Sequence, residues 1–128
     1  QVRALEDAKR YNVGTVRGYA SEKKLLNAGF EIGKNIDQAS DEIKNVKKFL
    51  LQRVDLICST DLVLAYYLRK EGHRLNETEK VVSLKGQFDE YMGFNKDTDD
   101  SVVESFTKAF DRIKQNGVYD KIISKHIE

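Results

Sequence analysis

The sequence predicts an α/β domain with a doubly wound, mainly parallel sheet and flanking helices, and three observations carry that expectation. Extended and amphipathic segments alternate along the 128 residues, and a β-α-β-α order argues a parallel sheet with helices on its faces. The segment "VDLICS" is nearly continuously apolar, as a central strand covered on both sides requires. Val102, Val103, Phe106, Phe110 and Ile113 recur at helical spacing, which marks one long amphipathic helix near the end.

The elements follow in order. Residues 1–10, "QVRALEDAKR", form a polar lead-in, and "YNVGTV" is a strand. Gly18 breaks it, and a helix runs from Ser21 to Asn27 with Gly29 as its stop. "FEIGKNI" reads as a second strand, and Asp37 or Ser40 caps the next helix. That helix sets Ile43, Val46, Phe49 and Leu50 on one side and Lys44, Lys47 and Lys48 on the other. After "VDLICS", "DLVLAYYLRKEG" is helical up to Gly72. "RLNETEK" is a loop, while "VVSL" and "EYMGFNK" read as strands. Thr98 or Asp99 opens the long helix, Asn116-Gly117 stops it, and "VYDKIISKHIE" is a last short helix.

Composition bounds the function. With 40% apolar and 34% charged residues and a net charge of +1, the chain can build a core, which a disordered chain cannot. The charge balance gives no basic patch for nucleic acid. Apolar runs such as "LVLAYYL" are far below a membrane span. No signal peptide is visible, and the chain starts at Gln1, as a mature or shortened protein would. The lone cysteine, Cys58, allows no internal disulfide and reads as an inert thiol inside a strand.

Ligands of open α/β sheets gather at the carboxyl ends of the strands. Two such ends are legible: Arg17-Gly18-Tyr19-Ala20-Ser21 after the first strand, and Ser59-Thr60-Asp61 after "VDLIC". If the two strands are neighbours, both ends face one crevice. The first supplies backbone amides, a hydroxyl and the positive end of a helix. The second supplies hydroxyls and a carboxylate. Together they suit a small molecule with an anionic end and a cationic or donor end. The plainer reading is that Gly18 turns the chain while Ser21 and Asp61 cap helices.

Catalysis finds little support. The chain has neither G-x-x-x-x-G-K-[ST] nor G-x-G-x-x-G. His73 and His126, in a polar loop and near the C-terminus, build no metal-ligand pattern with Cys, Asp or Glu that argues for a site, and both read as surface residues. No metal and no cofactor is expected. Asn76-Glu77-Thr78 matches a glycosylation sequon and marks an exposed loop.

The segments "LEDAKRYNVGTVRGYASEKKLL", "QRVDLICSTDLVLAYYL" and "EYMGFNKDTDDSVVESFTKAFDRIKQNGVYDKIISKHI" resemble, in order, the bacterial extracellular solute-binding proteins of family 3. These are periplasmic receptors for the uptake of polar amino acids by ABC transporters. The resemblance covers nearly the whole chain. It implies a type II periplasmic-binding-protein lobe: residues 1–96 as the second lobe, and residues 97–128 as C-terminal helices that return to the first lobe. It implies capture of an amino acid or related carboxylate without catalysis, a membrane ABC permease as partner through the full-length protein, and a periplasmic or extracellular location.

Members of the family often have Thr/Ser pairs after the glycine, where this chain has Tyr19 and Ala20 and keeps only Ser21 hydroxylic. The family's acidic residue for the ligand ammonium falls on Thr60, with Asp61 one step later. The resemblance also leaves the first part of the other lobe outside this chain, so the apolar stripe of the long helix is expected to seek cover, for example in a homodimer through that helix. Two other readings stand beside the receptor. One is an extracytoplasmic sensor domain of a signalling protein, which a transmembrane helix followed by a kinase or cyclase domain would mark. The other is a small α/β enzyme of flavodoxin-like shape, which a bound flavin would mark.

Overall fold

A computed structural model describes residues 2–84 and 91–127. They fall into two compact units, one within residues 1–85 together with the last two residues, and one within 86–126.

The first unit is built on "VGTV". Strand β1 (Val13–Val16) is buried at all four positions and pairs in parallel with β2 (Ile36–Ala39) on one side and β3 (Leu56–Ile57) on the other. The sheet order is β2-β1-β3. Side chains alternate across a strand, so β1 serves two layers. Val13 packs with Leu25, Phe30, Ile36 and Ala8, which brings helices α1 (Leu5–Ala8) and α2 (Ala20–Asn27) to one face. Gly14 points the other way. A Cβ there would lie 2.5 Å from Asn45 Oδ1 and 3.0 Å from Val54 Cγ2, so glycine is what lets helix α3 (Glu42–Leu50) approach the strand. Helix α4 (Asp61–Lys70) packs beside α3. Helices on both faces of a parallel sheet make the doubly wound α/β arrangement expected from the sequence.

The expected elements shift in places. The lead-in holds the short helix α1, where the sequence reading had none. "FEIGKNI" does not form the second strand. The chain turns there through Gly33 at φ 79°, and Asn35 ties the turn down, accepting from the Glu31 amide at 2.7 Å and donating to the Lys9 carbonyl at 3.2 Å. The strand comes after that turn, as "IDQA". Neither Asp37 nor Ser40 caps α3; the Asp41 carboxylate accepts from the Lys44 amide at 2.9 Å. Strand β3 is only two residues long, so Cys58 sits just past it. "RLNETEK" contains a 3-10 turn over Leu75–Glu77. "VVSL" makes no strand; Leu84 packs on the core from an irregular segment without a ladder. In "EYMGFNK" the stretch 91–96 is irregular, and Glu90 lies outside the described residues.

The second unit is helical in its described part. Asp99 caps α5 (Asp100–Gln115) by accepting from the Ser101 amide at 2.8 Å, and α6 (Val118–Ile127) follows. The apolar stripe is present, and Val102, Phe106 and Phe110 on it are exposed. Phe106 meets Phe94 edge-on at 5.5 Å, and Phe110 meets Tyr119 at 5.9 Å.

Candidate functional site

Parallel pairing of β1 with β3 sets their carboxyl ends side by side, and the turns that leave them carry the expected residues. Gly18 adopts φ 81° between β1 and α2, a left-handed backbone that glycine tolerates without steric cost. Tyr19 is the N-cap of α2 and makes no side-chain cap. Thr60 is the N-cap of α4, its hydroxyl accepting from the Val63 amide at 3.4 Å. The two ends lie near each other, and Cys58, just past β3, feels the Ser21 hydroxyl at the start of α2. Burial pushes the Cys58 thiol up to about 11, against the pull of that hydroxyl and with a further push from the Glu42 charge. The thiol is therefore unreactive at neutral pH.

The local chemistry divides the expected residues into spent and open groups. The Gly18 amide donates to Glu22 Oε1 at 3.0 Å, and the Tyr19 amide donates to the Val16 carbonyl at 3.2 Å. Both are used inside the turn. The amides of Ala20 and Ser21 lie in the first helical turn, where no intrahelical carbonyl reaches them, and no side chain caps them. Arg17, Gly18, Tyr19 and Ala20 are exposed, and Ser21 is half-buried. On the β3 side Thr60 is exposed and engaged as a cap. The Asp61 carboxylate is held by Lys80 Nζ at 2.6 Å. Ser59 Oγ is enclosed and has no hydrogen-bond partner.

Sequence reasoning missed two buried glutamates at this edge. Glu22 is 5% exposed. Besides the Gly18 amide it accepts from Thr15 Oγ1 at 2.7 Å and from Gln38 Nε2 at 2.9 Å. Burial pushes its carboxyl up, but the bonds from Gly18, Gln38 and Thr15 outweigh burial and hold it below the usual carboxylate value. It stands at the third position of α2, where a glutamate that reaches back to an amide before the helix is a known capping signal; that signal could have found it. Glu42, the first residue of α3, is 7% exposed, and its Oε2 has no partner. Burial raises its carboxyl. Nothing in the sequence marks it.

A cavity of about 600 Å³ lies elsewhere, lined by Phe49, Leu50, Val54, Asp55, Leu68 and His73 among others. Val54 and Asp55 lead into β3, so it opens at the amino end of that strand, away from the expected residues. Among the described residues no group of three His, Cys, Asp or Glu side chains is placed to hold a metal ion, and no helix is long and apolar enough to cross a membrane.

A parallel β2-β1-β3 sheet wrapped by helices on both faces is the fold of an α/β periplasmic-binding-protein lobe. A solved structure titled as an ancestral arginine-binding protein bound to glutamine superposes with a TM-score of 0.57 at 22% sequence identity, over 99% of this chain and 55% of that one. The chain thus spans about half the length of the protein it matches. No family model and no curated protein matches the chain.

Proposed function

We propose that the chain is a lobe of a solute-binding receptor of family 3, which captures a small polar solute without chemistry. The solute is an amino acid or a related carboxylate, delivered outside the cytoplasm to an ABC-type permease. The observation that carries this reading is the parallel pairing of β1 with β3, which sets their carboxyl ends side by side, with the Ala20 and Ser21 amides uncapped at the start of α2. Amides at a helix N-terminus favour a carboxylate. The fold likeness to a protein solved with glutamine supports an amino-acid-like solute. In the same reading, residues 1–96 act as the lobe and residues 97–128 place the apolar stripe of α5 on a second lobe or on a second copy of the chain. Arg17 adds a cation at the mouth, and Tyr19 replaces a small hydroxyl side chain with a ring, which narrows the choice of solute.

Thermal shift of the full-length protein against amino acids and small carboxylates tests the reading. A true solute raises stability by RT ln(1 + [L]/Kd), about 2.7 kcal/mol at a hundredfold excess over Kd. Ser21→Ala weakens that solute by roughly 0.5–1.5 kcal/mol, the worth of one hydrogen bond. A panel without any stabilising compound defeats the receptor reading, and an unchanged Kd in Ser21→Ala removes Ser21 from the site.

A further inference from the structure

The cavity at the amino end of β3 has no part in the receptor reading. Its floor is apolar: Val54 and Leu68 are buried, and Phe49 and Leu50 are half-buried. Its rim is made by helix ends. Helix α3 stops by turning through Gln52, whose amide closes on the Phe49 carbonyl at 2.9 Å. Helix α4 stops by turning through Gly72 at φ 82°, and the His73 amide then reaches the Leu68 carbonyl at 2.9 Å. The 3-10 turn brings Glu77 back, with its Oε2 2.8 Å from His73 Nδ1. Gln52 stands at φ 55°, the one non-glycine residue with a left-handed backbone among the described residues. Helices commonly stop on glycine at such a position, because it carries no side chain to strain. Strain retained at a cavity wall points to a use for the side chain.

Charge narrows what that use is. The described residues lining the cavity include the carboxylates of Asp55 and Glu77 and no lysine or arginine. Both Glu77 oxygens are engaged, one at His73 and one accepting from the Arg74 amide at 2.9 Å. These two bonds hold its carboxyl below the usual value. Asp55 Oδ2 accepts from the Asn12 amide at 2.8 Å, and Oδ1 meets no donor among the described residues. The volume of about 600 Å³ lies within the range of small-molecule sites. We infer that this cavity is a second binding site, for a small organic amine with an apolar body. The body lies on Phe49, Val54 and Leu68, where leaving water is favourable. The ammonium sits at the mouth and donates to Asp55 Oδ1 and to the Gln52 carboxamide oxygen, the first bond being charge-assisted. The site lies at the opposite end of β3 from Ser59, Thr60 and Asp61, and it does not rest on the receptor reading.

Amide chemical shifts of the full-length protein, titrated near neutral pH with three probes sharing one apolar body, test it. The probes are phenethylamine, 2-phenylethanol and 3-phenylpropionate, which differ in the charge of the head. The amine should give saturable shifts at Gln52, Asp55 and His73, with the alcohol weaker and the carboxylate silent. Asp55→Asn keeps an acceptor for the Asn12 amide, and should weaken the amine about fivefold while leaving the alcohol unchanged. Gln52→Gly relieves the backbone, and should melt at or above wild type while binding the amine less tightly. Saturable shifts confined to residues 17–21 and 59–61, or none at all, overturn the site and leave the receptor reading standing. So does a wild-type protein that takes the alcohol or the carboxylate as tightly as the amine, a comparison that needs no variant to fold. Amine affinity unchanged in Asp55→Asn or in Gln52→Gly also overturns the assignment. Equal loss of amine and alcohol in Asp55→Asn counts against it as well, because Asp55 is then a support of the fold.

Discussion

Two turns leave the carboxyl edge of the sheet into helices, and each buries a glutamate in the first helical turn. In the β1-to-α2 turn, Glu22 is surrounded by an amide, a hydroxyl and a carboxamide. In the β2-to-α3 turn, Glu42 is as deeply buried, and one of its oxygens meets no donor. The same residue type at the same edge is pulled to opposite sides of the ordinary carboxylate value, down for Glu22 and up for Glu42. Burial acts on both in one direction, so the count of donors decides the outcome. The first turn satisfies its carboxylate, while the second keeps one buried acceptor oxygen without a donor.

The largest test removes Glu22. Glu22→Ala strands the Gly18 amide, the Thr15 hydroxyl and the Gln38 carboxamide, and should cost about 3–5 kcal/mol in urea unfolding. A loss below about 1 kcal/mol would mean that water replaces the carboxylate and the contrast between the turns is shallow. The acid limb makes the same point. With its folded value below its unfolded one, the Glu22 contribution is present above the unfolded value of about 4.5 and is lost as pH falls through the lower folded value. Glu22→Gln should flatten that limb.

Next in size is Gly14→Ala. The added methyl meets Asn45 Oδ1 and Val54 inside the core, and overpacking of this kind costs about 1–3 kcal/mol. Asn45 lies one turn into α3 from Glu42, so the substitution pushes on the second turn from beneath. Equal stability of the alanine protein, measured by thermal melting, would show that Asn45 yields freely.

Glu42→Gln carries the opposite sign from Glu22→Ala. It should stabilise by up to about 1 kcal/mol near neutral pH. A carboxyl raised in the folded state contributes stability below its unfolded value of about 4.5, and loses it as pH rises through the folded value. The gain in the glutamine protein should therefore appear above that window and vanish at low pH. A gain that is constant with pH would show that charge is not its cause. The smallest effect is at Thr60→Ala, where the cap bond is long at 3.4 Å and its loss should cost about 0.5 kcal/mol of stability. If the same change abolished solute binding, Thr60 would be a ligand group as well as a helix cap.

The sequence reading located what periodicity and burial dictate. β1 is legible because four successive buried residues leave few alternatives, and α3, α4 and α5 because an apolar face repeats at helical spacing. The second strand was misplaced, sharing only Ile36 with the observed β2, because the tie at Asn35 is made by a side chain to a distant carbonyl, Lys9. A short β-branched run such as "VVSL" looks the same whether or not a neighbour pairs with it. At the site, the glycine turn and the two strand ends were readable. The division into spent and open groups was not, since it depends on Glu22 and Lys80 reaching in from other positions. Glu42 shows the limit most sharply: burial of an acid at the first position of a helix leaves no trace in spacing or composition.

The burial of Cys58 also gives the molecule a clock. With its thiol at about 11, the lone cysteine carries a thiolate fraction of about one part in ten thousand at pH 7. Alkylation of the closed state is correspondingly slow. Each time α2 parts from the end of β3, the thiol recovers ordinary reactivity for as long as the gap lasts. The rate of chemical labelling then counts those openings, as amide exchange counts local unfolding. A solute that bridges the two strand ends would slow the clock, in a chain with no second cysteine to confuse the reading.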